Sequence, residues 1–221
     1  MNIFKFNMKL ILQIFFVIIF FSTLHARNLD KFEGGSYIAN YFSGILLLNE
    51  DQYKESYKFL KKLEGLEEIH TNYSSKHLFS LVNSGKFNEA FNYSKKLEKR
   101  KIGNFESELI IGVYYLKNEK YDLAHEYFLK IKNRKSRFVL NNFVSSSLLN
   151  WVSFNDLDLN RAQNKIQAID SKFENLKKIQ NVFLHCFYKS EKTELLFEKL
   201  ASNKKIDFSR YNYFYAVYLS N

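Results

Sequence analysis

The residue types that most often perform chemistry in proteins are scarce in this chain of 221 residues. Its single cysteine, Cys186, stands next to His185, and a thiol with an imidazole is the pair that a nucleophile and its general base would use. Successive residues on a helix point about 100° apart, so these two side chains do not face each other. The sequence therefore favours a buried cysteine and a hydrogen-bonded histidine in a helix. One cysteine also excludes an internal disulfide framework and a multi-cysteine metal site.

The other candidates for chemistry are isolated as well. Four further histidines lack a metal-ligand spacing such as His-Glu-x-x-His: His25, His70, His77 and His125. The segment "EGGS" at 33 to 36 lacks the Gly-Lys-Ser/Thr ending of a phosphate loop, and Ser36 is predicted to be a helix N-cap. The carboxylate pairs Glu67 with Glu68 and Asp156 with Asp158 are predicted to be solvated in loops. We therefore expect no enzymatic activity, no metal and no cofactor.

The composition favours an all-α fold. The chain has no Pro and only seven Gly, but 23 Phe and 15 Tyr. β-Hairpins and tight turns usually need Gly and Pro, so this composition indicates helices with short connections. With 46% hydrophobic residues the chain can bury a substantial core.

The formal charge of +10 raises the question of an acidic partner. The lysines are dispersed, however, and many stand beside acidic residues, as in "KKLEGLEE" and "KKLEKRK". No aromatic-and-basic recognition pattern accompanies the charge, so we do not expect nucleic-acid binding.

Residues 1 to 26 have the pattern of an export signal. Lys5 and Lys9 precede an apolar run from Leu10 to Leu24, and the segment has no acidic residue. Cleavage after Ala26 would remove two of the 33 basic residues and leave a charge of +8. The alternative is a retained anchor with membrane contact through residues 4 to 24, although the apolar run is shorter than the roughly 20 residues of a typical span. The chain is expected to be exported, to the periplasm if the source is bacterial, or anchored in the inner membrane if the signal is retained.

Three later segments repeat one pattern: "QYKESYKFLKKL" at 52 to 63, "KFNEAFNYSKKL" at 86 to 97 and "KYDLAHEYFLKI" at 120 to 131. Each has an aromatic residue, and these recur at intervals of 34: Tyr53, Phe87 and Tyr121. Three residues later each has a small residue: Ser56, Ala90 and Ala124. A fixed period of this length predicts a solenoid. We expect the small residues to allow close helix approach and the aromatics to fill the space beside them.

A second helix is predicted before each of these segments, across a short turn. Nine residues before the aromatics lie Gly44, Leu78 and Gly112, within apolar runs of helical spacing. Such a helix pair of 34 residues resembles the tetratricopeptide repeat. The third unit is most similar, because "IGVYY" at 111 to 115 follows the family's Leu-Gly-x-x-Tyr element and Ala124 with Phe128 follows its Ala-x-x-x-Phe element. No unit has the family's leading Trp or its closing Pro.

The resemblance continues more faintly along the chain. Two further helix pairs are predicted, with Leu159 38 residues after Tyr121 and Thr193 34 residues after Leu159. The predicted organisation is a signal at 1 to 26, three repeats at 36 to 132, two degenerate pairs at 133 to 206 and one helix of an incomplete repeat at 207 to 221. In the last segment four aromatics either pack back on the fifth pair or belong to a longer array: Tyr211, Phe214, Tyr215 and Tyr218. The pattern is similar to the N-terminal part of longer secreted bacterial proteins of this repeat family.

The resemblance implies an all-α, right-handed superhelical solenoid of helix-turn-helix repeats whose first helices line a groove for a protein partner. Carried over, the groove residues are Tyr41, Ile45, Leu48, Asn72, Phe79, Asn83, Glu106, Leu109, Val113 and Lys117. The alternative for each apolar residue in this set is a place in the core. The implied packing residues are Gly44, Tyr53, Ser56, Phe87, Ala90, Gly112, Tyr121, Ala124 and Phe128.

Two functions from different classes follow. Family members that clamp a charged C-terminal tail present Lys and Asn where this chain has Tyr41 and Ile45, so a more apolar or aromatic-rich segment is the expected ligand. The first hypothesis is thus an exported, non-enzymatic scaffold that binds a partner protein. The alternative is a membrane-associated structural protein, held by an uncleaved N-terminal helix and a basic surface against anionic lipid.

Overall fold

The computed structural model describes residues 34–134, 139–203 and 207–220. Within these residues it contains eleven α-helices and no strand, so the predicted all-α class is confirmed. The predicted export signal lies outside the described residues. Among the helices that are described, none combines the length and the apolar character needed to span a bilayer.

The helices follow the chain as α1 to α11, and short 3-10 turns lie between several of them. Their bounds are Gly35–Asn49, Tyr53–Leu60, Thr71–Asn83, Phe87–Lys99, Phe105–Lys117, Tyr121–Lys132, Val139–Ser153, Leu159–Gln167, Glu174–Phe187, Thr193–Ala201 and Asn212–Leu219. The chain divides into two compact units, Met1–Ser107 and Glu108–Asn221. Helices α1 to α4 belong to the first unit, α6 to α11 belong to the second, and α5 spans the division.

The second helix of each pair begins at the residue that the repeat pattern marks, with a spacing of 34 residues except for the 38 between Tyr121 and Leu159. The helices α2, α4 and α6 begin at Tyr53, Phe87 and Tyr121, and α8 and α10 begin at Leu159 and Thr193. Acidic residues in the first turn and lysines in the last turn of α2, α4 and α6 match the helix dipole. These charges favour helix ends at the observed positions.

The turns inside the first three pairs share one geometry. Asp51, Gly85 and Glu119 all have left-handed backbones, with φ of 58°, 77° and 58°. After each, the next amide donates to a carbonyl five residues earlier, as Lys86 N–H does to Leu81 O at 2.9 Å. The equivalent bonds join Gln52 to Leu47 and Lys120 to Tyr115, both at 2.9 Å. This hydrogen-bond pattern satisfies carbonyls at the end of the first helix and turns the chain into the second.

The small residues at the repeat positions lie in the interior. Ser56, Ala90 and Ala124 are fully buried, and Ser56 Oγ donates to the Gly44 carbonyl oxygen at 2.8 Å. An added Cβ atom at Gly44 would stand 2.6 Å from Leu60 Cδ2. The two helices of this pair thus approach closely because Gly44 leaves room for the Leu60 side chain.

The aromatic repeat positions do not fill the space beside those small residues, contrary to the sequence-based expectation. Phe87 and Tyr121 are exposed and Tyr53 is half-buried, and each is the first residue of its helix. The interior place is taken seven residues later by fully buried Leu60 and Phe128. Burying a side chain of this size contributes about 1.5–3 kcal/mol.

Two other local predictions are corrected. Helix α1 begins at Gly35 with Gly34 as its N-cap, so Ser36 lies inside the helix and makes no cap hydrogen bond. Glu67 is buried rather than solvated, because its carboxylate accepts from the Gly65 amide at 2.7 Å and forms an ion pair with Arg100 at 3.1 Å.

In the second unit, the last helix packs back on the pair before it. Tyr211, Tyr215 and Tyr218 lie against a buried cluster that includes Phe197 and Phe208. The Tyr215 ring stacks on Phe197 at 5.2 Å. The ring of Phe214, which is 45% exposed, meets Phe183 edge-on at 5.3 Å, so all four aromatics pack against the fifth pair.

Candidate functional site

The predicted groove residues of the first unit divide into surface and core. On α3, Asn72, Phe79 and Asn83 are exposed, with 51% of Phe79 accessible to solvent. On α1, Tyr41 and Ile45 are half-buried. Leu48 is only 6% exposed, so it belongs to the core between α1 and its neighbours and offers no surface to a partner.

Aromatic contacts organise the exposed side chains. The edge of the Tyr53 ring meets Phe79, with the ring centroids 5.8 Å apart. Tyr41 lies 5.1 Å from the His70 ring and 6.0 Å from Phe42. Rings held by such neighbours lose little further rotational freedom when a partner covers them, which favours binding.

Three exposed apolar residues of α1 were not in the predicted set. Ile38, Phe42 and Leu46 are spaced four residues apart, so they form one stripe along α1, and Phe42 is 65% exposed. All fifteen residues of α1 are uncharged. Their i, i+4, i+8 spacing is visible in the sequence and was the signal that could have identified them.

The remaining predicted groove residues lie on α5. In the first unit, Glu106 is exposed and its carboxylate accepts a hydrogen bond from Ser75 Oγ at 3.2 Å. In the second unit, Leu109 is half-buried, whereas Val113 and Lys117 are exposed. Since the division between the units runs through α5, these residues form two separate sets.

A pocket of about 250 Å³ lies elsewhere in the first unit, between α2 and α4 and above α3. Its lining residues are Tyr57, Lys61, Glu64, His77, Leu81, Glu89, Asn92, Tyr93 and Lys96. The sequence pattern did not reveal it, because its walls come from the second helices and the groove was expected on the first.

His77 forms the centre of an aromatic cluster below this pocket. Its ring stacks on Tyr73 at 5.6 Å and on Tyr57 at 5.9 Å, and meets the Tyr93 ring edge-on at 4.8 Å. The residue is 5% exposed, and its Nδ1 atom has no hydrogen-bond partner in the described part of the chain. Burial lowers the pKa of His77 to about 4, since the charges of Glu64 and Glu67 only partly offset the lost hydration. The imidazole is therefore neutral at pH 7.

Two polar bridges cross the pocket from α2 and the residues after it to α4. Tyr57 donates its hydroxyl proton to Glu89 at 2.5 Å, and Lys96 forms an ion pair with Glu64. Hydrogen bonds from Lys96 to Glu64, and from Lys86 and Tyr57 to Glu89, lower the pKa of both carboxyls. Both carboxylates are thus ionised and already neutralised by their partners.

His185 contacts Ser190 on its Nδ1 side, and no hydrogen bond joins it to Cys186 within the described residues. His185 is buried and its Nδ1 lies 3.0 Å from Ser190 Oγ, while Cys186 is half-buried rather than fully buried as expected. Burial, followed by the charge of Lys192, lowers the pKa of His185. Within the three described ranges, no three side chains of the metal-binding types come together.

Comparison of the chain with known protein families, with curated proteins and with solved structures gives no match. The residues described above are therefore the basis for any functional conclusion.

Proposed function

We propose that this protein is a non-enzymatic scaffold that binds a partner protein after export. In this proposal the helix pairs form a right-handed solenoid similar to tetratricopeptide repeats, and the first helices carry the binding surface. The recurrence of the same turn at Asp51, Gly85 and Glu119 supports repeated helix pairs. The partner offers an apolar or aromatic-rich segment.

The single observation behind this proposal is the exposure of large apolar side chains on the first helices of the first unit. Phe42 and Phe79 present 65% and 51% of their surface to water, and Ile38 and Leu46 extend the apolar area along α1. When a partner covers half of a phenyl group, the apolar area removed from water contributes about 1 kcal/mol to binding. Aromatic anchors of this kind often dominate the free energy of binding.

The test uses Phe87 as a matched control, since it is a similarly exposed phenylalanine at the start of a second helix. Peptides selected on the purified chain from a displayed random library are expected to be rich in Leu, Ile, Phe and Trp. Their affinity should fall about tenfold for each of Phe42→Ala and Phe79→Ala and stay unchanged for Phe87→Ala. Equal affinity for all three variants would contradict a binding surface on the first helices.

The membrane-associated alternative is favoured by one observation on α1. Its exposed apolar stripe can enter the boundary between lipid headgroups and acyl chains, while the charge that attracts anionic lipid comes from lysines outside this uncharged helix. In this case the chain should float with vesicles containing anionic lipid, release at high salt, and lose affinity when Phe42 is replaced by Ser. The mass of the protein isolated from its source reports separately whether residues 1 to 26 have been removed.

A further inference from the structure

The pocket between α2 and α4 is distinct from the surface of the proposed function, because its walls come from second helices and its base comes from His77 and Leu81. We propose that it binds a small carboxylic acid with an aromatic body and a hydroxyl group at the far end. The carboxylate would meet Lys61 at the rim, and the hydroxyl would approach His77 at the base.

The rim favours an anion. Lys96 forms an ion pair with Glu64, and Lys86 and Tyr57 both bind Glu89. Neither carboxylate therefore needs a cation from a ligand. Lys61 lies between the two bridges, one turn from Tyr57, and its Nζ stands 5.5 Å above the Tyr57 ring. The Tyr57 hydroxyl, followed by the charges of Glu89 and Glu64, raises the pKa of Lys61, so its side chain is held at the rim in the charged form. An exposed ammonium group held in this way can pair with an incoming carboxylate at little cost in hydration.

The interior favours a planar body. The rings of Tyr57, His77 and Tyr93 and the side chain of Leu81 line the pocket below the charged rim. Rings of this kind stack on, or meet edge-on, a phenyl ring of a ligand. A volume of about 250 Å³ is close to the smallest pockets that hold small molecules, so it fits one ring with short substituents.

The base favours a neutral hydrogen-bonding group. His77 is 5% exposed and lines the pocket, and its Nδ1 atom has no hydrogen-bond partner within the residues described. Buried polar groups without partners are rare because each loses the hydrogen bonds that it forms with water. A ligand hydroxyl can both donate and accept, so it can pair with either tautomer of a neutral imidazole.

The same chemistry can come from two sources. A free hydroxyphenyl acid has a carboxylate and a phenolic hydroxyl, and so does a C-terminal tyrosine of another protein. Titration of the purified chain with 4-hydroxyphenylacetate and with the peptide tetraglycyl-tyrosine distinguishes them, because a preference for either identifies the source.

The test compares ligands that each lack one group. Isothermal titration with 4-hydroxyphenylacetate is expected to give a dissociation constant on the order of 1 mM, as befits a ligand of this size. Phenylacetate lacks the hydroxyl, 4-hydroxyphenylacetamide lacks the charge, and acetate lacks the aromatic body. Each of these three should bind about tenfold more weakly than 4-hydroxyphenylacetate. Binding that is unaffected by loss of the charge or of the hydroxyl would overturn the proposal, as would no saturable binding of either hydroxyphenyl probe.

Lys62 offers a matched control variant, since its Nζ lies 5.1 Å above the Phe59 ring and copies the arrangement of Lys61 outside the pocket. Lys61→Gln should weaken binding of 4-hydroxyphenylacetate about tenfold, and Lys62→Gln should leave it unchanged. Equal affinities of the two variants would overturn the proposal. His77→Phe should remove the advantage of the hydroxyl over phenylacetate. If that variant does not fold, the ligand series and the Lys61 variant still decide, because Lys61 is exposed.

Discussion

Gly112 on α5 lies directly against the ring of Phe128 on α6, so that a Cβ atom added to the glycine would overlap the ring carbons. Gly44 on α1 has the same relationship to Leu60 on α2, sixteen residues later in each case. The absence of a side chain on one helix thus makes room for a large one on the other. Close packing of this kind leaves no space for an additional methyl group.

In the α3–α4 pair, which lies between these two pairs in the sequence, the large residue stands on the first helix and the small residue on the second. Leu78 on α3 occupies the glycine position, and Ser94 on α4 occupies the position of Leu60 and Phe128. Both are buried. We therefore interpret these two positions as one packing unit that holds one large and one small residue in either order.

This interpretation predicts strong coupling between Gly112 and Phe128. Gly112→Leu should destabilise the chain by roughly 3 kcal/mol because the new side chain has no space. The double variant with Phe128→Ser introduces the pair found in α3 and α4, and it should recover at least half of that loss. Urea unfolding followed by circular dichroism measures both values. Gly35→Ala is the control, since no atom lies within 4 Å of its added Cβ. A double variant as unstable as the sum of the single changes would contradict the coupling.

The left-handed turns provide a second prediction. Gly85 and Glu119 occupy equivalent positions with φ of 77° and 58°, and no atom lies within 4 Å of a Cβ added at Gly85. Gly85→Ala should therefore cost about 1 kcal/mol through backbone strain alone, whereas Glu119→Gly should stabilise by about 0.5–1 kcal/mol. Thermal unfolding midpoints should move in opposite directions. Shifts of the same sign would show that contacts of the side chains outweigh backbone conformation here.

Much of this fold was predictable because the determining signals are local. The 34-residue period located the starts of α2, α4 and α6, since turn residues and apolar spacing repeat with it. The same period did not show which face each residue occupies. Phe87 was expected in the core and is exposed, and Leu48 was expected in the groove and is buried. Burial depends on which neighbouring helix covers a residue, and short-range pattern does not contain that information.

The pocket was not predictable for a related reason. Tyr57, His77 and Tyr93 come from three helices and are separated by 20 and 16 residues. None of the three stands in a recognisable motif, and a lone histidine in an apolar helix usually indicates core. Only the packing of α2, α3 and α4 brings the three rings together.

A buried carboxylate in the second unit gives a third prediction. Glu108 is 2% exposed, and Arg134 binds both of its oxygens, at 2.5 and 2.6 Å, while Lys130 adds a contact at 3.1 Å. Arg134→Met should cost roughly 2–3 kcal/mol, because it leaves a buried charge with one partner instead of two.

The control for this pair is Arg161, which forms an ion pair with the exposed Asp158. Arg161→Met should change the free energy of unfolding by less than about 0.5 kcal/mol. Adding Glu108→Met to Arg134→Met should restore part of the stability, since the unpaired charge is then removed. Equal effects of the two arginine variants in urea unfolding would show that burial of Glu108 has little energetic consequence.

His77 gives the last prediction, on the dependence of stability on pH. Its pKa is about 4 in the folded protein, lowered by burial, against an ordinary value of 6.5. Between these values the unfolded chain binds a proton at this position and the folded chain does not, so stability falls as the pH decreases from 6.5 towards 4. The full difference corresponds to roughly 3 kcal/mol.

The lowered pKa values of Glu64 and Glu89 act in the same direction, but only below the ordinary carboxyl value of 4.5. Between pH 7 and pH 5 the buried His185, whose pKa is also lowered, acts in the same direction, so the contribution of His77 is the difference between the original chain and a His77 variant. In urea unfolding over this interval, His77→Phe should reduce the slope, and the exposed His125→Gln should leave it intact. An unchanged slope in the His77 variant would mean that other groups take up the proton.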